Sequence, residues 1–356
     1  MTELTGTPRE HGLRMPAEWA KHAATWIAWP HNADDWPGKF QAIPWVYADI
    51  VRYLSRVEDV QILVNDAAAE KRARSVLKRT GANLARVHFR QWPTNRVWTR
   101  DSGPIFVKNP QGETAVTNWR FNAWAKYDNW QLDDQIPGRA AELLELPESR
   151  PRVGEHRVVL EGGSIDTNGA GVLLATEECL LSEVQQRNPG LSRADLERVF
   201  HDYLGIDQVI WLNRGVAGDD THGHVDDITR FVARNRIVTV TEANRQDDNY
   251  LPLAENLERL KSGRNLKGGA FEIVELPMPA PVVFEGQRLP ASYGNFYIAN
   301  GLVLVPTFND PNDRKALNML AEVFPDREVA GVHCGDFIWG LGALHCMTQQ
   351  QPCSTE

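Results

Sequence analysis

Four chemically loaded turns recur at a nearly constant interval along this chain. Asp101 lies in Trp98 to Phe106 (WTRDSGPIF), Glu161 in Leu160 to Ile165 (LEGGSI), His224 in Gly218 to Phe231 (GDDTHGHVDDITRF) and Cys346 in Gly340 to Gln349 (GLGALHCMTQ). The separations are 60 from Asp101 to Glu161, 63 from Glu161 to His224, and 122, or twice 61, from His224 to Cys346. A fixed period of this size is expected when one supersecondary unit has been repeated. The skipped interval falls at Ser292 to Asn295 (SYGN), and a further unit around His31 to Trp36 would precede Asp101 by 65 to 70 residues. About five units therefore account for the chain.

Between these turns the order is the same: polar turn, strand, helix, strand. The apolar spacing predicts helices over 44–57, 67–79, 133–144, 193–203, 249–261 and 313–324, and strands in DVQILV, RVHFRQW, IFVK, RVVLEGG, SIDTNGAGVLLATEE, QVIWLN, ITRFVAR, RIVTVTE, FEIVELP, GLVLVPTFND and REVAGVHC. The fold class is α/β, and a ring of such units would gather the turns at one central mouth. Residues 1–12 are polar and aperiodic and read as a loose tail; no linker divides 13–356, which reads as one domain.

Composition narrows the function. The net charge of −9, from 47 acids against 38 Lys plus Arg, disfavours nucleic acid and suits a cationic partner. No stretch reaches the roughly 20 apolar residues that span a bilayer, and the N-terminus has no apolar signal region, so no membrane association and a cytoplasmic location are expected. Cys179, Cys334, Cys346 and Cys353 are too few and too irregular for a disulfide framework or a four-thiolate zinc site. One reactive thiol among inert ones is the simpler reading, with Cys179 and Cys353 structural and Cys334 (HCGDF) the rival of Cys346. Most of the 12 tryptophans read as packing residues, a few near the acidic loops as walls of a pocket.

His224 and Asp226, two apart ahead of Ile228 and Phe231, would share one face if they began a strand. They would then pair an acid/base group with a cation-holding group. A second reading takes His222, His224 and Asp226 (H-x-H-x-D), with His31 or His333, as ligands of a zinc or manganese hydrolase. A third is a tryptophan-rich acidic binding protein without activity.

Taken together and in this order, R-D-x-G-P, E-G-G-S, G-D-x-T followed by His-x-Asp, and H-C-x-T resemble the agmatine deiminase branch of the guanidino-group-modifying enzymes, over about Met15 to Gln351. The resemblance implies a five-bladed α/β propeller (pentein fold) and hydrolysis of agmatine to N-carbamoylputrescine and ammonia, within polyamine and putrescine biosynthesis. It allows a homodimer. It implies Cys346 as nucleophile, His224 as acid and base, Glu161 as the partner orienting its imidazole, and Asp101 and Asp226 clamping the guanidinium as carboxylates clamp arginine. Asp220 would meet the distal ammonium, with Trp98 a nearby wall. The chain departs from its better-known relatives at G-L-G-A-L-H-C, where they have G-G-G-N-I-H-C, and at His222, where Asn is common. Arginine or peptidyl arginine as substrate, with Arg96 or Arg100 meeting a carboxylate, and amidino transfer to an amine are the neighbouring alternatives. No cofactor or metal is implied, so turnover of a guanidine should survive exhaustive chelation and dialysis; a loss restored by zinc or manganese would favour the metal reading.

Overall fold

A computed structural model describes residues 2–354; Met1, Thr355 and Glu356, the outermost residues of the two expected segments, lie outside the described residues. Among the described residues five sheets of three or four strands carry the fold, beside two two-stranded ribbons. In four of them a first strand pairs antiparallel with a second, the chain crosses over through a helix, and a third strand joins parallel to the second. The sets are Ile105–Lys108, Thr114–Thr117 and Glu148–Ser149; Asp166–Thr167, Val172–Thr176 and Gln208–Leu212; Thr229–Ala233, Arg236–Thr241 and Glu272–Pro277; and Tyr297–Ala299, Leu302–Thr307 and Glu328–His333. The crossovers hold the helices Ile136–Leu143, Arg193–Leu204, Tyr250–Ser262 and Pro311–Val323. A parallel pair needs such a crossover because a hairpin cannot return the chain in the same direction.

The fifth sheet joins the chain ends. Gln349–Pro352 pairs antiparallel with His22–Ala28, which pairs parallel with Asp59–Leu63, followed by Val87–Arg90. The last strand thus takes the first place in a unit begun by residues more than 300 positions earlier. The helices bury one stripe each, as in Ile43–Val57, where Ile43, Tyr47, Ile50, Val51 and Leu54 are covered. Second strands are buried on both faces, as at Val303, Leu304 and Val305. Among the described residues no helix is long and apolar enough to cross a membrane.

The repeat explains where the reactive turns lie. Asp101, Glu161, His224, Asn295 and Cys346 each stand two to five residues before the first strand of a sheet. The interval from His224 to Cys346 divides at Asn295 into 71 and 51. The turn at His31 to Trp36 follows a second strand instead, and corresponds to the loop carrying Trp124 after Thr114–Thr117. Antiparallel pairing places the start of a first strand beside the end of a second, as in Ile105 opposite Thr117 and Gln349 opposite Trp26, so both kinds of turn emerge at one end of each sheet.

The segment expected as a loose tail makes defined contacts. Leu4 N donates to Glu148 O at 2.8 Å, and the Thr7 to Glu10 capping box starts a short 3₁₀ turn over Pro8–His11. At the centre lies a fully buried charge cluster. Arg230 donates to Asp166 Oδ2 and to Phe296 O, each at 2.7 Å, and its Nη2 lies 2.7 Å from Glu18 Oε2. Glu18 also meets Arg100 at 3.2 Å and His345 at 2.7 Å. Removing one partner of a buried pair leaves an uncompensated charge. Arg230→Met should therefore lower the unfolding free energy by roughly 3 to 5 kcal/mol in urea titration; a change under about 1 kcal/mol would show that the cluster contributes little.

Candidate active site

Burial of Asp101, Glu161, His224, Asp226 and Cys346 at one point is the first fact of the site; Cys346 keeps 7% of its surface exposed. Asp101 is carried on the single helical turn Thr99–Ser102, which Thr99 ties down by donating to Trp26 O and Met347 O. Gly163 N donates to Asp101 Oδ1 at 3.1 Å and Trp124 Nε1 to Oδ2 at 2.9 Å. Trp124 is held in the left-handed region, φ 59°, between Ala123 and Ala125 at 49° and 53°. Such backbone costs on the order of 1 kcal/mol or more per residue and persists only where the surroundings impose it.

The two glycines after Glu161 are there for clearance. A Cβ on Gly162 would lie 2.2 Å from Arg100 O, and one on Gly163 would lie 2.6 Å from His224 Nδ1 and 2.8 Å from Asp101 Oδ1. Glu161 accepts from Arg187 Nε at 3.2 Å, and Arg187 is anchored to Gln185 O and Thr221 O. Burial opposes the ionised form of Glu161, but Arg187 and His224 outweigh it and hold its pKa below the usual range.

His224 and Asp226 do not begin a strand. His224 caps the 3₁₀ turn Val225–Asp227, and the strand starts at Thr229. The alternation argument for a shared face fails, yet the turn brings the pair together, with Nδ1 3.9 Å from Asp226 Oδ1 and 3.8 Å from Asp101 Oδ1. Nε2 lies 3.5 Å from Glu161 Oε2. Both ring nitrogens, Glu161 Oε2 and Asp226 Oδ1 are buried without a hydrogen-bond partner. Burial alone would lower the imidazole pKa; Asp101 and the neighbouring acceptors raise it well above the ordinary value.

Cys346 sits against Asp226 Oδ2 at 3.8 Å and receives Asn295 Nδ2 at 3.1 Å. Asn295 is fixed by the SYGN turn: it donates to Asp227 Oδ1, it accepts from the backbone N of His345, and Ser292 Oγ donates to Asp227 O. Gly342 lets the loop pass, since a Cβ there would lie 2.8 Å from Trp98 and 3.1 Å from Cys346 Cβ. Burial, with Asp226, Asp227 and Asp101, holds the thiol pKa well above its ordinary value. Burial also lifts Asp101, to about 6, while His345 holds Asp226 below the usual range against burial.

Cys346 and Asp101 open into a cavity of about 390 Å³ walled by Trp98, Trp124, Tyr127 and Trp339, with Asp34, Asp35 and Asp220 as further acids and Arg96 as its only cationic lining group among the described residues. Asp220 and Trp98 both line it. Asp220, however, binds Lys126 Nζ through Oδ1 and accepts from Tyr127 OH at 2.7 Å through Oδ2. Arg96 is committed to Asp35 and Asn129 and lies over the Tyr127 ring. Arg100 is buried on Glu18 and Gln350, outside the lining.

The metal-ligand set expected from H-x-H-x-D does not assemble. His222 turns away to Ser182, His31 to Thr94, and neither these nor His333 joins His224 and Asp226 among the described residues. Cys334 is fully buried away from the cavity, its thiol pKa raised by burial. Sequence reasoning misses Asn295 as a contact of the sulfur, although the skipped interval marks its turn. It also misses His345, Glu18 and Arg187, which touch the site from behind. Cys179, read as structural, lies within 4.8 Å of Glu161 and His224.

A profile of the Porphyromonas-type peptidyl-arginine deiminase family matches residues 14–352. The chain is 36% identical to an agmatine deiminase of Pseudomonas syringae pv. syringae (strain B728a) over 99% of both proteins. Its fold is similar to that of an Enterococcus faecalis agmatine deiminase, with a TM-score of 0.92, 30% identity and 100% of both chains covered. It is also similar to a substrate-bound C. jejuni agmatine deiminase that carries a cysteine-to-serine substitution, with a TM-score of 0.85, 29% identity and 97% of both chains covered. The clearance at Gly163 is tested directly by substitution. Gly163→Ala should leave a folded protein but cut kcat by about 100-fold or more, because His224 and Asp101 must shift; kcat within about threefold of the unsubstituted protein would mean that their placement is not critical.

Proposed function

The chain belongs to the Porphyromonas-type peptidyl-arginine deiminase family, and from its full-length similarity to agmatine deiminases we propose that it is one, converting agmatine and water to N-carbamoylputrescine and ammonia. One observation favours agmatine over arginine: the arginines that could meet a substrate carboxylate are already engaged, Arg96 with Asp35 and Asn129, Arg100 with Glu18 and Gln350. The rest of the cavity is acidic, with Asp34, Asp35, Asp101 and Asp220 on its walls. A carboxylate-bearing tail would be desolvated among like charges, a cationic tail among opposite ones.

The guanidinium, a planar cation with fixed N–H donors, sits between Asp101 and Asp226 with its carbon toward Cys346 Sγ. This arrangement answers the unfavourable thiol. The carboxylates that raise the Cys346 pKa in the free enzyme are neutralised by the arriving cation, and Asn295 Nδ2 donates to the sulfur, so ionisation is coupled to binding. Sulfur then bonds to the guanidinium carbon. His224, protonated in its cage of carboxylates, gives its proton to the leaving nitrogen, the C–N bond breaks, and ammonia departs.

Water attacks the resulting S-alkylthiouronium. His224, now neutral, takes a proton from that water, the C–S bond breaks, and the ureido product leaves with the thiol restored. Glu161, itself held by Arg187, fixes the plane of the imidazole through both steps, as a buried carboxylate does in a triad. Trp98 walls the tail of the substrate, and Asp220, shared with Lys126 and Tyr127, adds its charge to the mouth. Every role is filled by a side chain of this protein.

On the same reading the five sheets are the blades of a five-bladed propeller of pentein type. Residues 13–356 form one catalytic domain, and the enzyme works in the cytoplasm, as a monomer or homodimer, supplying N-carbamoylputrescine for putrescine and polyamine formation. The repeated strand order and the shared end of the five turns support this view of the fold. Agmatine, free arginine and an arginine peptide should be compared side by side for ureido product, with Cys346→Ala and Cys334→Ala as controls. Agmatine is expected to exceed the others by at least about 100-fold in kcat/KM, and activity should vanish only in Cys346→Ala. Arginine or peptide equal to agmatine would overturn the substrate, and an inactive Cys334→Ala beside an active Cys346→Ala would overturn the nucleophile.

A further inference from the structure

Agmatine is cationic at both ends, and the residue that receives its distal ammonium is a separate matter from the guanidine chemistry, although its identification rests on the substrate reading above. Two acids on the cavity wall compete for that role. Asp220 has spent both oxygens, one on Lys126 and one on Tyr127. Asp35 has not. Its Oδ1 accepts from Arg96 Nη1 at 3.0 Å and from Asn32 Nδ2 at 3.3 Å, while Oδ2 has no hydrogen-bond partner. The side chain is only 4% exposed. An unpaired carboxylate oxygen at that depth is costly, and the cost is removed by a cationic donor arriving through the cavity it lines.

The backbone holds Asp35 firmly in that position. Asn32 caps the 3₁₀ turn Ala33–Asp35, and the next residue, Trp36, is fully buried, donating through Nε1 to Phe337 O at 2.7 Å. Trp36 packs on Trp98 with ring centroids 5.6 Å apart, and Trp98 is the ring beside Gly342 and Cys346. Gly340 makes room for it, since a Cβ there would lie 2.5 Å from Trp36 Nε1. Asp35 is thus linked by one rigid aromatic wall to the sulfur. Arg96 adds a positive charge nearby, but it is already paired through Oδ1, and exposed Asp34 adds a further acid at the mouth.

We propose that Asp35, through its unpartnered Oδ2, is the specificity-determining residue that binds the distal ammonium of the substrate. Asp220 then contributes through Lys126 and Tyr127 to the shape of the wall and makes no direct contact with the ammonium.

The test compares agmatine with n-butylguanidine, which keeps the guanidine and the four methylenes' length of chain and lacks the amine, in the unsubstituted enzyme, Asp35→Asn and Asp220→Asn. For Asp35→Asn, kcat/KM for agmatine should fall about 10- to 100-fold, mostly in KM, with n-butylguanidine turnover unchanged within about twofold. That retained turnover also reports a folded site. Asp220→Asn, which removes a charge from the mouth without removing a contact, should lower kcat/KM for agmatine by less than about threefold. An equal loss of both substrates in Asp35→Asn would make the residue structural and overturn the proposal, as would a loss selective for agmatine in Asp220→Asn as large as that in Asp35→Asn. If the unsubstituted enzyme instead prefers arginine to agmatine, the substrate reading beneath it fails, and that outcome is visible before either variant is made.

Discussion

Six carboxylates, Glu18, Asp101, Glu161, Asp166, Asp226 and Asp227, are buried around the centre of this protein, and the fold holds only while their charge is balanced. Five basic side chains, Arg100, Arg187, Arg230, His224 and His345, are buried with them. Ions out of water are tolerated only when paired and hydrogen-bonded. The pairing is dense on one side of the site: Arg230 holds Glu18 and Asp166, and His345 bridges Glu18 and Asp226 at 2.7 and 2.6 Å. On the cavity side it is left incomplete. Asp101 is pushed up to about 6 and Asp227 well above its ordinary range, because burial and neighbouring acids are not fully answered by the protein's own cations.

That incompleteness is what makes the proposed chemistry work. A guanidinium supplies the positive charge that the cavity side lacks, so binding and thiol ionisation favour each other. On this reading the protein need not maintain a reactive thiolate when no substrate is present, since burial and the surrounding carboxylates hold the Cys346 thiol pKa well above its ordinary value. The arrangement separates two jobs that a single cation within the protein would confuse. Arg187 and His345 orient Glu161 and Asp226 from behind, while the front of the site is kept for the substrate. The strained turn at Trp124 and the clearances at Gly162, Gly163 and Gly342 show how closely the backbone is drawn around that front.

Several features are legible along the chain because they are local. The turn at Asp101, the double glycine after Glu161 and the Gly-flanked loop before Cys346 are short motifs whose chemistry is contained in a few consecutive residues. The helices are visible because an apolar stripe has a period; the expected 44–57 and 67–79 compare with Ile43–Val57 and Ala67–Thr80. Other expectations fail for identifiable reasons. An interval of two between His224 and Asp226 suits a strand, but Gly223, at φ 95°, and the 3₁₀ turn after it set a different geometry. His222 has the spacing of a metal ligand, and its backbone at φ 64° carries it toward Ser182 instead.

The α/β class, the period near 61, the acidic character that suits a cation and the side chains of the proposed chemistry all follow from the order of residues alone, since each is carried by composition, by periodicity or by a contiguous motif. Which of those groups are spent and which are free is set by the folded arrangement. Asp220 and Asp35 are equivalent as residue types, and they differ because Lys126 and Tyr127 come from a loop about 94 residues away to occupy one, while Arg96 takes a single oxygen of the other. The same holds for Asn295 at the sulfur and for Glu18 behind His345, 327 residues apart in the chain. Pairing energies of this kind depend on distance and burial, and neither is written in the order of the residues.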